Sequence, residues 1–345
     1  MSDLEFVYES RPGRVVFGAG SVRHAEREVV ALGSERALVL CTRSQRGPAE
    51  AIAAQLGDRS AGIFDRVEAH VPIELAREAR AVARERRADC AIAVGGGSTI
   101  GLGKAIALDS GLPIVGIPTT YAGSEMTPIF GITEAGRKRT GKDLRVLPRT
   151  VIYDPELTLT LPAEVTVTSA INALAHAAEG LYARDANPIT SLMADEAIRA
   201  IATGLPLVHR NAADLAGRSR LLYGAWLAGS VLGSVGMALH HKLCHVLGGS
   251  FDLPHVLAFN AGAAPEAMAR IAHSLGTDEA PLGAYELARR HLAPLALRDL
   301  GMRAADLDAA ADIASADPYW NPRPVDREAI RSVLQNAFEG APPSA

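Results

Sequence analysis

Along the first half of the chain, short runs that are apolar at nearly every position alternate with longer stretches that are apolar only at helical spacing. The runs RVVFGAG (14–20), RALVLCT (36–42), CAIAVGG (90–96), LPIVGIPTT (112–120) and TVIYDP (150–155) predict strands. The stretch IELAREARAVARERRA (73–88) puts its apolar residues on one face and Glu and Arg on the other, which predicts a helix. Strands without polar alternate positions are buried on both faces. The pattern therefore predicts a mostly parallel sheet covered by helices on both sides. Ser21 is placed to N-cap the first helix, and Gly33 to stop it.

From about residue 156 the pattern changes. Ala/Leu-rich stretches over 162–183, 189–210, 220–248 and 263–276 are long, helical in spacing and poor in strand formers. The chain thus reads as a Rossmann-like α/β domain over 1–155 followed by an all-α domain over 156–345. Its 345 residues are enough for two cores.

Charge and cysteine usage narrow the function classes. A net charge of −4 without a block of like charge argues against a nucleic-acid partner. The N-terminal MSDLEFVYESRPGRVVFG lacks an apolar signal core, and no run reaches transmembrane length, so a cytoplasmic protein without membrane contact is expected. Cys41, Cys90 and Cys244 are too few and too far apart for a disulfide framework.

The stretch AIAVGGGSTIGLGKAIAL (91–108) reads as strand, glycine turn and helix. Gly95, Gly96 and Gly97 let the backbone approach a ligand, while Ser98 and Thr99 are placed to cap the helix. The free amides and positive dipole end of that helix suit a pyrophosphate. A second loop, GIPTTYAGSEMTP (116–128), follows the next strand, and ligands of such sheets bind beyond the strands' carboxyl ends. Its Thr119, Thr120, Tyr121 and Ser124 offer short uncharged polar groups, suited to a nicotinamide and its ribose. After the second strand comes Thr42-Arg43-Ser44, with no acid to hold an adenosine 2′-hydroxyl, so Arg43 or Arg46 is available for a 2′-phosphate. NADH and NADPH both remain open as cofactors.

The stretch HHKLCHVLGGSFDLPH (240–255) holds four of the chain's ten histidines. His241 and His245 are four apart and share a helix face, which suggests a metal site.

Taken together, RVVFGAGS, AVGGGSTIGLGKAIAL, PTTYAGSEMTPI, RVLPRTVIYDPELTLTLP, NALAHAAEG, HHKLCHVLGGSFDLPH and YWNPRPV resemble the iron-containing (group III) alcohol dehydrogenase superfamily almost end to end, and within it the maleylacetate reductase branch. The resemblance implies a dehydroquinate synthase-like fold, with a dinucleotide-binding domain, a helical domain and the active site in the cleft between them. It also implies a homodimer that uses NADH or NADPH to reduce a small dicarboxylate, maleylacetate, to 3-oxoadipate during the breakdown of aromatic compounds.

In metal-dependent members, an Asp and a His four apart on one helix join two later His residues around the ion. The corresponding residues here are Asn172, His176, His241 and His255. With an amide in place of the carboxylate, four neutral ligands bring no charge to a divalent cation. The expectation is that no metal is required, which the resemblance also implies for this branch. His245 and His255 are then expected to donate protons, and Asn172, His176, His241 and Lys242 to hold substrate oxygens, imidazolium and ammonium pairing with the dianion. One departure from the family stands out: LPH at 253–255 runs directly into VLAFN, where the family has a further segment of roughly three helical turns ending in a second LPH. His255 matches either copy. Competing readings are a metal-dependent alcohol dehydrogenase of the same superfamily, a lyase like dehydroquinate synthase, and a nucleotide-binding protein without catalysis.

Overall fold

The computed structural model describes residues 6–9, 13–134, 137–247 and 253–343. These fall into two compact units, Ser10–Leu161 with Ala213–Leu222, and Met1–Glu9 with Pro162–Ala212 and Tyr223–Ala345.

The first unit carries strands β1 (Arg14–Phe17), β2 (Ala37–Leu40), β3 (Ser60–Phe64), β4 (Cys90–Gly95), β5 (Ile114–Pro118), β6 (Ile129–Glu134), β7 (Arg137–Lys142) and β8 (Thr150–Tyr153). Its helices are α1 (Ala25–Ala31), α2 (Arg46–Leu56), α3 (Ile73–Glu85) and α4 (Gly97–Ser110). Six strands form one parallel sheet in the order β1-β8-β5-β4-β2-β3. β6 and β7 pair separately as an antiparallel hairpin. Strand periodicity sorts the core into two layers. Leu38 and Leu40 of β2 pack with Leu75 and Ala79 of α3 and Leu102 and Ile106 of α4. Ala37 and Val39 point the other way, to Val29 of α1 and Ile52 and Leu56 of α2. Each large aliphatic buried in this way contributes roughly 1.5–3 kcal/mol. This double burial is why the strands read as unbroken apolar runs.

Two local expectations need correction. Ser21 does not cap α1. It opens a short 3₁₀ turn, Ser21–His24, whose N-cap is Gly20, and its hydroxyl donates to the Tyr153 carbonyl at 3.2 Å. The entry is held instead by Asp154, which accepts from the amides of Gly20 (3.0 Å) and Val22 (2.9 Å). β3 and the β6–β7 hairpin were not among the predicted strands. Gly33 does take a left-handed conformation just beyond α1, with φ 74°.

The second unit holds α5 (Ala163–Leu181), α6 (Pro188–Arg210), the later part of α7 (Leu215–Ser234), α8 (Leu239–Leu247), α9 (Leu253–Asn260), α10 (Pro265–Leu275), α11 (Ala280–Arg290), α12 (Leu307–Ala316) and α13 (Arg327–Glu339). The stretch 220–248, predicted as one helix, is two. α7 and α8 meet at a break over 235–238 and turn by 99°. Gly180 of α5 lets α7 pack closely, since a Cβ there would stand 2.1 Å from Val231 Cγ1. Among the described residues, no single helix is long and apolar enough to cross a membrane. Gly248 and Gly249 lie outside the described residues.

Candidate active site

In the first unit, β4 runs into α4 through the glycines. Gly95 adopts φ 154°, and a Cβ there would stand 2.3 Å from Thr99 Oγ1. A Cβ on Gly96 would meet Thr120 Cγ2 at 3.1 Å. The turn is therefore bare backbone directly ahead of a helix N-terminus, a cradle that any side chain would fill. Ser98 and Thr99 do not cap it. Gly96 is the N-cap, no side chain bonds to the first turn, and Thr99 Oγ1 is buried without a hydrogen bond among the described residues. The Thr99 amide turns back to the Gly96 carbonyl at 3.0 Å, and the amides of Gly97 and Ser98 are the ones a ligand would meet. These features fit the pyrophosphate of a nicotinamide dinucleotide.

The second loop is tied to the first, because the Thr119 amide donates to the Gly95 carbonyl at 3.1 Å. It is also braced from beneath by a residue that sequence reasoning missed. Lys104 of α4 is buried, and its ammonium reaches the carbonyls of Ser124 (2.6 Å), Ile129 (2.7 Å) and Thr127 (2.8 Å). The hydroxyls of Thr127 (3.0 Å) and Ser124 (3.2 Å) complete its surroundings. Burial lowers its pKa to about 7, against the opposing pull of the Glu125 carboxylate. Glu125 is itself buried and pushed upward by desolvation, and it accepts from the Tyr153 hydroxyl at 2.8 Å. Tyr121, expected at the cofactor, is fully buried, and its hydroxyl accepts from Arg218 at 3.2 Å. It supports the loop from within. A lone lysine inside the apolar run IGLGKAIAL was the available signal for Lys104. The two arginines after β2 differ. Arg46 pairs with Glu50 and Asp65, whereas no ion pair of Arg43 is found among the described residues.

In the second unit, α5 and α8 bring most of the histidine candidates together. Asn172 and His176, one turn apart on α5, meet with the Asn172 amide nitrogen 3.4 Å from His176 Nε2. The His176 ring lies against that of His241, with centroids 4.7 Å apart. His240 is also buried here, with its ring centroid 5.3 Å from that of His241. Glu179, one turn beyond His176, is fully buried and accepts from His241 Nδ1 at 2.6 Å. It also accepts from the amides of Ala238 (3.0 Å), His240 (2.8 Å) and His241 (3.4 Å). Desolvation pushes Glu179 upward, and these amides oppose it.

Burial lowers His241 to about 3, with His245 adding to the effect, and carries His176 well below the usual range. Both rings are therefore neutral near neutral pH. The expected pairing of imidazolium with a dianion does not hold for these two, and they act on a ligand through hydrogen bonds or lone pairs. Lys242 and His245 converge on Tyr319, His245 Nδ1 lying 2.9 Å from its hydroxyl and the Lys242 ammonium 5.4 Å from its ring centre. Tyr319 belongs to the YWNPRPV stretch but had not been singled out. His255 is buried on α9. An apolar cavity opens against Asn172 and His240, walled by Ile171, Leu253, Pro254 and Leu297.

The comparisons with known proteins are uniform. Residues 12–155 match the iron-containing alcohol dehydrogenase family and residues 166–338 its C-terminal region. A maleylacetate reductase of Burkholderia cepacia is 58% identical, with 98% of this chain and 99% of that protein covered. One from Sphingobium indicum is 52% identical over 99% of each. The crystal structure of maleylacetate reductase from Agrobacterium tumefaciens superposes with a TM-score of 0.95 at 50% identity, covering 98% of this chain and 99% of that one.

These findings overturn the expectation that no metal is required. The matched family is one of iron-containing enzymes. The expectation also rested on a ligand set without charge, and Glu179 supplies a carboxylate that the set omitted. The ligand atoms of Glu179, His240 and His241 lie within 4.8 Å of one another. His241 Nε2 and His176 Nδ1 are buried nitrogens without a hydrogen-bond partner among the described residues. Neutral imidazoles beside a carboxylate are a donor set that suits a first-row divalent ion. By sequence along nearly its whole length and by fold, this chain belongs to the iron-containing alcohol dehydrogenase family.

Proposed function

We propose that this chain is a cytoplasmic, homodimeric reductase that converts maleylacetate to 3-oxoadipate at the expense of NADH or NADPH. The observation that carries the reading is full-length identity above one half to maleylacetate reductases. The first unit is read as the cofactor-binding half, with Gly95, Gly96 and Gly97 at the pyrophosphate and Thr119, Thr120 and Ser124 toward the nicotinamide end. The second unit is read as the substrate half.

When bound, the nicotinamide supplies a hydride, and a divalent ion in the histidine cluster supplies a Lewis acid for a substrate oxygen. The chain's own residues do the rest. Lys242 is the cation facing the dicarboxylate, and Asn172, His176 and His241 orient its oxygens. His245 and His255 are the proton donors to the enolate left after reduction. The cavity beside Asn172 and His240 is apolar, so it suits the carbon skeleton and not the carboxylates. The test is direct. Purified protein given maleylacetate and either reduced cofactor should consume the cofactor and yield 3-oxoadipate, detected by mass. Turnover of simple alcohols or aldehydes without turnover of maleylacetate would displace this reading.

A further inference from the structure

Glu179 makes four polar contacts within the histidine cluster, and their arrangement assigns it a task. A carboxylate has about four lone-pair positions. Here Oε2 faces the amides of Ala238 and His241 and the ring nitrogen His241 Nδ1 at 2.6 Å, and Oε1 faces the amide of His240. The amides belong to the break after α7 and the first turn of α8, where helix donors lack intrahelical partners. Glu179 thus caps α8 from another helix. The same carboxylate meets the ring of the residue it caps.

An amide hydrogen cannot leave its nitrogen, so both oxygens are committed to accepting from backbone donors. Oε2 is offered also to the imidazole of His241, which in its neutral form carries one ring proton and one lone pair. A ring proton on Nδ1 satisfies the carboxylate and leaves Nε2 bare. Nε2 is buried, beside His176, with no partner among the described residues. Carboxylates hold metal-binding or catalytic imidazoles in one tautomer by this kind of contact.

We infer that Glu179 is a positioning residue which fixes His241 as its Nδ1–H tautomer, presenting the Nε2 lone pair to substrate or metal, and that this role is coupled to its capping of α8. The consequence for turnover rests on the reductase reading above, but the tautomer does not, so the two can fail separately.

The experiment uses full-length protein labelled with ¹⁵N-histidine, with His241 identified by comparison with His241→Gln. Ring-nitrogen shifts in long-range ¹H–¹⁵N spectra report which nitrogen is protonated. The wild type should show Nδ1 protonated and Nε2 bare. In Glu179→Gln, the amide group must place its NH₂ against either the backbone donors or the ring. Turned to the ring, it forces the proton to Nε2. The spectrum should change tautomer, and kcat should fall at least tenfold, with the KM for reduced cofactor within twofold of wild type. Added Zn²⁺ should shift the Nε2 resonance in the wild type and not in the variant. A wild-type His241 protonated on Nε2 would overturn the inference, and needs no variant to observe. So would a Glu179→Gln protein that keeps both the wild-type tautomer and the wild-type kcat. If the tautomer behaves as expected while maleylacetate is not reduced, the positioning role stands and the substrate assignment falls.

Discussion

At the scale of single residues, the buried charges on the cofactor side carry the chemistry that a motif scan overlooks. Lys104 lies inside an apolar helix, and its ammonium is surrounded by oxygens of the loop it supports. Such a lysine titrates differently in the folded and unfolded chain. Its folded pKa, about 7, is below the ordinary lysine value of 10.5. Between those two values the unfolded chain binds more protons than the folded one, so stability rises with pH across that window. The contribution is complete above the unfolded value and is lost as pH falls toward 7. Lys104→Met removes this dependence. The wild-type urea midpoint, measured relative to that of Lys104→Met, should therefore climb between pH 7 and pH 9.5, by up to ~1.4 kcal/mol per pH unit in free energy. A difference that stays flat across the range would mean the oxygens keep the ammonium charged despite burial.

At the scale of elements, legibility followed the physics of burial. Strands β2, β4, β5 and β8 were readable because both of their faces are covered, which leaves a continuous apolar signature, whereas β1, a half-exposed edge strand, was readable from its Val-Val-Phe run. β3 and the hairpin were not, since Ser60–Phe64 is only partly buried and the hairpin carries Arg and Lys. Helix caps were misjudged twice, at Ser21 and at Ser98–Thr99. In both places a glycine opens the turn, and a distant group or a ligand-facing backbone replaces the local hydroxyl. Glu179 was invisible for a related reason: its partners lie about sixty residues later, a separation that periodicity cannot register.

The junction of β4 and α4 supports its own prediction. Gly96 has ordinary backbone angles, φ −80° and ψ −166°, so a side chain there fills space without straining the chain. Gly96→Val should raise the KM for reduced cofactor more than tenfold with the melting temperature nearly unchanged. Gly95→Val should lose the fold's stability as well, because Gly95 has positive φ and no room for a Cβ. Cofactor kinetics and thermal melts on the two variants separate these effects.

For the whole molecule, the sequence pattern changes near residue 156, and the chain falls into two compact units with a cut after Leu161. The unit boundary is not a single cut, since Ala213–Leu222 belongs with the first unit although it opens a helix of the second. Sequence texture could not show that, because α7 is helical and apolar on both sides of the division. The proposed homodimer is a whole-molecule expectation. Light scattering on the eluted protein should return twice the chain mass of 36.2 kDa, independent of dilution through the micromolar range. A mass equal to one chain would remove the dimer from the proposal while leaving the reductase reading intact.

The 99° break between α7 and α8 places a constraint on evolution and engineering that concerns length and not identity. Each residue of a helix advances its side chain by about 100° around the axis. Adding or deleting a single residue in the 235–238 linker would shift α8 against the carboxylate that receives its first amides, and His241 would face elsewhere. Substitutions in the linker leave that register intact. Variants selected or designed from this scaffold should therefore tolerate altered letters in the linker far better than altered spacing, and insertions meant to reshape the pocket belong at the far end of α8 instead.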